Sequence, residues 1–199
     1  MDATNLLKLI KQRKTARRYK KKIIPASKLQ MILEAGRWGP SVLGKQSWKF
    51  VVIADEEKRE QIAQICAARA KKSAVSANLL LNAAVHNIKN CQIVICVYGT
   101  GEISDLAQRF NFRFRKFAEM AEVASAAACI QNMILLAEAL NIGVCWHDIP
   151  LICARSISKL LEERFKLIAV LTVGYSFKKA RRTKRKLRKK TIRMLKGYE

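Results

Sequence analysis

From about Ala118 to Leu140 the sequence reads as one helix, apolar on nearly every side, with small residues crowded at Ala124, Ser125, Ala126, Ala127 and Ala128. A helix without a wet face belongs at the centre of a fold or in a subunit interface. Its most apolar part, Val123 to Ala137, is bracketed by Glu122 and Glu138 and carries Gln131 and Asn132. That is too short and too polar a run for a membrane span, so no membrane is expected. The remaining elements have to be arranged around this rod.

Four runs rich in β-branched and other apolar residues supply strands: "WKFVVIA" from Trp48, "CQIVICVYG" from Cys91, "IGVCW" from Ile142 and "KLIAVLTVGYS" from Lys166. Between them lie helical patterns. Thr4 can cap a helix reaching about Lys14, with Leu6, Leu7, Leu9 and Ile10 on its apolar side. Pro25 and a Ser27-x-x-Gln30 capping box open a second, ending near Trp38 with Leu29, Ile32 and Leu33 inward. Asp55 caps a third, in which Ile62, Ile65 and Cys66 repeat at helical spacing. Ala74 to Val85 and Ser156 to Arg164 are also helical, whereas residues 102–117 read as a loop or short helix. A chain of 199 residues, half of them apolar, suits one α+β or α/β domain, here 1–177, followed by a basic extension, 178–199.

Charge is concentrated at the two ends. The net value is +24, yet Lys8 to Lys22 holds nine Lys or Arg and Lys178 to Lys196 holds twelve, with no acid in either run. The rest of the chain carries 18 basic and 15 acidic residues, an ordinary balance. Two cationic ends on a near-neutral body reflect either a Lys-rich composition of the chain as a whole or an anionic partner. A nucleic-acid-binding protein is one reading, and incidental nucleic-acid affinity another, but the tail lacks interleaved aromatics and no reader module is present. The six cysteines contain no C-x-x-C pair and sit mostly in apolar runs, so buried, reduced thiols and a cytoplasmic setting are expected. Two histidines give no plausible zinc ligand set. The N-terminus, with an acid at position 2 and no uninterrupted apolar core, is not a secretory signal.

Two phosphate motifs are present only in outline. "GPSVLGK" from Gly39 fits G-x-x-x-x-G-K, but it follows a helix and precedes a strand, the reverse of what a triphosphate loop requires. Gln46 also stands where Ser or Thr would hold Mg²⁺. "GTGEIS" from Gly99 has two of the three glycines of a dinucleotide fingerprint and no acid at the right distance.

Four stretches in register carry more weight: "RKTARRY" (Arg13 to Tyr19), "GPSVLGKQSW" (Gly39 to Trp48), "LNIGVCW" (Leu140 to Trp146) and "TVGY" followed by Lys and Arg. Together they resemble the nitroreductase family of FMN-dependent oxidoreductases over nearly the whole chain. The resemblance implies an α+β fold with a mostly antiparallel sheet flanked by helices and a long buried helix at a homodimer interface. It also implies hydride transfer from NADH or NADPH to a planar acceptor such as a nitroaromatic or quinone, or another flavin reaction on the same fold.

The chemistry of such a cofactor suits these residues. A phosphate dianion calls for cations with directional donors, which Arg supplies as a planar fork. By resemblance Arg13, Lys14 and Thr15 hold the phosphate and ribityl end. Arg17 sits near N1 and O2, where fixed positive charge favours reduced flavin. Pro40, Ser41 and Gln46 match the turn that lies against the flavin; Gly44 replaces the family Asn and Ser47 the family Pro. Trp146 and His147 belong to the segment whose backbone N–H faces N5, and His147 is either a proton donor to substrate or a wall of the pocket. Lys184, Arg185 and Lys186 match a basic pair that reaches back to the phosphate, with Arg188 as a further candidate. Substrate-lining residues are expected from Gln108 to Phe117, among Phe110, Phe112, Phe114 and Phe117.

Overall fold

The computed structural model describes residues 2–107, 112–177, 184–187 and 191–193, the side chains of 112 and 113 aside. Its centre is a four-stranded antiparallel sheet of β1 (Trp48–Ile53), β2 (Ile93–Gly99), β3 (Gly143–His147) and β4 (Lys166–Gly174), in the order β1-β2-β4-β3. β2 and β4 occupy the middle and are buried almost throughout, which is why both read as unbroken apolar runs.

Seven α-helices cover the sheet among the described residues. α2 (Ala26–Arg37) and α6 (Phe112–Ala139) pack on one face, where Ile32, Ile130 and Met133 meet Ile95, Val97 and Leu171. On the other face, α3 (Glu56–Lys71), α4 (Val75–Asn90) and α7 (Ala154–Leu160) enclose a second core around Ile62, Cys66, Leu81, Cys96 and Val170. α1 (Ala3–Gln12) and the short α5 (Glu102–Ala107) lie against α6. All six cysteines are unpaired and buried, as expected of thiols inside apolar runs.

Several boundaries differ from those read in the sequence. Asp2, not Thr4, caps α1: its carboxylate accepts from Asn5 N at 2.7 Å, a charge-assisted bond that a threonine hydroxyl cannot match. The helix stops at Gln12 and has no buried residue, so Leu6, Leu7 and Ile10 stay exposed. The capping box at Ser27 is not formed. Pro25 takes the N-cap position, and its carbonyl accepts from Lys28 N and Leu29 N at 3.0 and 3.2 Å. The stretch after β2 is more helical than expected, because α5 forms at once and α6 already begins at Phe112.

α6 also has a wet face. Its C-terminal half is buried through Ala126, Cys129, Ile130, Met133 and Ala137, whereas Phe114, Phe117, Met120 and Val123 remain exposed. Phe114–Ala139 is long and apolar enough to cross a membrane, but half of its most apolar window is buried in the fold, the pattern of a core helix.

Candidate functional site

The chain leaves α1 at Arg13 in an extended conformation (ψ 129°) and runs along the free edge of β3. Ala16 N donates to Val144 O at 3.0 Å, and Lys20 N donates to Tyr175 O at 2.7 Å. Two glycines make this approach possible. A β-carbon at Gly143 would lie 2.5 Å from that of Ala16, and one at Gly174 would lie 2.7 Å from Tyr19 Cδ1. The glycines of "IGVCW" and "TVGY" therefore have a single job, to let the first basic run lie flat on the sheet.

Tyr19 locks that run in place. Its hydroxyl lies 2.9 Å from Ala16 O, 3.0 Å from Thr172 O and 2.8 Å from Thr172 Oγ1. His147 Nε2 is 3.1 Å from the same Thr172 Oγ1. Burial, the largest influence, raises the Tyr19 phenol well above its ordinary range, so it stays protonated and able to donate. Burial, assisted by the positive charge of Arg17, pushes His147 down to about 4, so the imidazole is neutral near pH 7. Arg17 acts on Cys145 and Tyr19 as well. Its guanidinium thus lends positive potential to the end of β3, and it is itself exposed.

Arg13, Lys14 and Thr15 are half-buried on the path into this edge, and Lys14 lines a cleft of about 460 Å³ with Lys11, Glu138 and Asn141. An isolated bridge between Tyr19 and Ser176, with Phe177 N donating to Arg18 O at 3.2 Å, sets the root of the second basic run beside the first. Lys184, Arg185 and Lys186 are exposed. Arg188 and residues 178–183 lie outside the described residues, as do Gln108 and Phe110. Of the other candidate aromatics, Phe114 and Phe117 lie with ring centroids 5.9 Å apart and planes tilted by 50° on the exposed start of α6.

The loop containing Pro40, Ser41 and Gln46 is held elsewhere. Val42 N donates to Ser125 Oγ on α6 at 3.2 Å, and Gln46 N donates to Ser41 Oγ at 3.0 Å. Leu43, Gly44 and Gln46 all have positive φ, a strained course kept at an exposed site. Next to it Ser47 Oγ is buried without a hydrogen-bond partner among the described residues. No hydrogen bond or ion pair among the described residues joins this loop to Arg13, Lys14, Thr15 or Arg17. Trp48 belongs to the core, and Trp146 Nε1 donates to Asp148 Oδ1 at 2.6 Å.

Sequence reasoning passed over Tyr19 and Thr172. The available signal was Thr172, a lone hydroxyl in an otherwise apolar buried strand, where a polar group needs a partner.

The model of the nitroreductase family matches residues 10–175, and the chain belongs to that family. The iodotyrosine deiodinase of Thermotoga neapolitana is 38% identical over 61 residues, 31% of this chain and 33% of that protein, so the match spans a third of the relative. A Bacillus subtilis protein named "Putative NAD(P)H nitroreductase YfhC" is 22% identical over 170 residues, 84% of this chain and 82% of its own length. Among solved structures, a nitroreductase with bound FMN from Bacteroides fragilis superposes with a TM-score of 0.76 at 22% identity, covering 98% of this chain and 100% of the other. The helices and antiparallel sheet are thus those of the family, an oxidoreductase family.

Proposed function

We propose that the chain is one subunit of a homodimeric FMN-dependent oxidoreductase that passes hydride from NADH or NADPH to a planar acceptor such as a nitroaromatic or quinone. The observation that carries this reading is the fastening of the Arg13–Tyr19 run to β3 and to the root of the basic tail. It gathers cations around one edge of the sheet, beside a segment bearing the positive potential of Arg17.

Bound FMN supplies a two-electron carrier that donor and acceptor visit in turn. The protein's own residues do the rest. Arg13, Lys14 and Thr15, with Lys184, Arg185 and Lys186, hold the phosphate dianion by charge-assisted bonds. Arg17 stabilises the negative charge that a flavin ring gains near N1 on reduction. Trp146 to Asp148 offers backbone N–H groups to the ring edge. His147 is a wall of the pocket in this reading: a neutral imidazole already engaged by Thr172 has little to donate. With a nitro acceptor, one NAD(P)H and one proton convert the nitro group to nitroso and release water.

Among the described residues no hydrogen bond or ion pair joins Pro40, Ser41, Gln46 or the Ser47 hydroxyl to the cationic edge; in this reading a second copy supplies them to the site. Leu6, Leu7 and Ile10 on α1, and Phe117, Met120 and Val123 on α6, are the exposed apolar side chains a dimer would cover. The test is anaerobic. Protein loaded with FMN should lose its visible absorbance when NADH or NADPH is added and regain it with nitrobenzene or benzoquinone. Flavin that stays oxidised with both donors would contradict the reading.

A further inference from the structure

The flavin reading engages Arg13, Lys14 and Arg17 of the nine cations from Lys8 to Lys22, and Lys184, Arg185 and Lys186 of the twelve from Lys178 to Lys196. One phosphate dianion leaves the others without a task. Arg18, Lys20, Lys21 and Lys22 are all exposed, and none of them has a carboxylate partner among the described residues. The ion pairs that do form there use Arg37, Lys49, Lys89 and Lys166, all outside the basic runs.

The fold gives these cations the aromatic setting that the tail sequence lacks. The Tyr19–Ser176 bridge brings Tyr175 and Phe177, at the root of the second run, beside the first. Lys20 Nζ lies 5.9 Å from the centre of the Phe177 ring. Lys22 Nζ and Lys28 Nζ lie 4.6 and 5.8 Å from that of Tyr175. Lys22 N donates to Lys20 O at 2.8 Å, a tight turn that keeps the lysines together. Tyr175 packs against the core, but Phe177 is 68% exposed and keeps ring surface for another flat partner. Unpaired cations suit a phosphodiester backbone, and an open ring among them takes a base by stacking. A duplex or a headgroup layer offers charge without free base faces, so the exposed ring favours a single strand.

We propose that this edge is a docking surface for single-stranded nucleic acid, with Arg18, Lys20, Lys21 and Lys22 on phosphates and Phe177 beneath a base. None of these five side chains belongs to the proposed flavin contacts, so either reading can fail without the other.

The experiment follows the fluorescence anisotropy of a labelled oligothymidylate of about 20 nucleotides on titration with the full chain. The parent should bind it in about 100 mM NaCl, and the logarithm of its affinity should fall linearly with that of the salt concentration. Lys20→Gln, Lys21→Gln, Lys22→Gln together should flatten that slope by about two, at roughly 0.7 per phosphate contact. Phe177→Ala should weaken single-strand binding about fivefold or more while leaving the slope and the affinity for a duplex unchanged. Both variants should keep the parent's circular dichroism and its FMN content, since the altered side chains are exposed. A parent that fails to bind the oligonucleotide, or that binds only phosphatidylserine vesicles, would overturn the proposal. So would a slope unmoved in the triple variant, or equal losses on single and double strands in Phe177→Ala.

Discussion

Tyr19 and Ser176 pair as an antiparallel bridge, and this pairing joins the end of one basic run to the root of the other. Tyr19 also buries its hydroxyl among Ala16 O and the two oxygens of Thr172. Replacing Tyr19 by Phe keeps the ring and removes that hydroxyl. The expected loss is about 1–2 kcal/mol, one buried hydrogen bond and a partly orphaned partner, read as a lower urea midpoint. FMN affinity should fall as well, because Arg17 lies two residues away on the same segment.

His147 makes stability depend on pH in a defined direction. Its folded value of about 4 lies below the ordinary 6.5, so between those values the unfolded chain binds the proton and the folded chain does not. Stability is full above about pH 6.5 and drains away as the pH falls towards 4. From pH 7.5 to 5 the contribution of this group is about 2 kcal/mol. Urea titrations at the two pH values should show it, and His147→Gln, though less stable at pH 7.5, should lose less on acidification.

By resemblance Gly44 takes the place of a family Asn; it has φ +66°, and a side-chain carbon added there would meet nothing within 4 Å. Asn is among the residues that best tolerate the left-handed region. Gly44→Asn should therefore fold with a stability change below about 1 kcal/mol and bind FMN more tightly, as measured by quenching of flavin fluorescence.

Met120 is 66% exposed on the wet side of α6. A charge there costs a monomer little but would have to be desolvated in the proposed interface. Met120→Glu should shift sedimentation from dimer to monomer and release FMN at the same time, since the loop of Ser41 and Gln46 is then no longer supplied by a partner.

Much of this was legible in the sequence because it depends on local pattern. The unbroken apolar run from Cys91 predicted β2 and the run from Lys166 predicted β4 as the last strand, and Asp55 does cap α3, accepting from Lys58 N at 2.7 Å. The glycines at 143 and 174 were visible as motif residues, but their reason lies in contacts with Ala16 and Tyr19, far away in the chain. The same limit applies to α6. Its composition implied no wet face, yet whether Met120 meets protein or solvent is decided by what packs beside it.

The central claim is that cations on the Arg13–Arg17 segment hold a flavin phosphate and ring. Its most direct test is the visible spectrum of protein mixed with FMN and then desalted. The parent should stay yellow, with the two flavin bands at one FMN per chain, and Arg13→Ala, Arg17→Ala should come through largely colourless while still folded by circular dichroism. A colourless parent, or a double variant that keeps its full complement of flavin, would contradict the account.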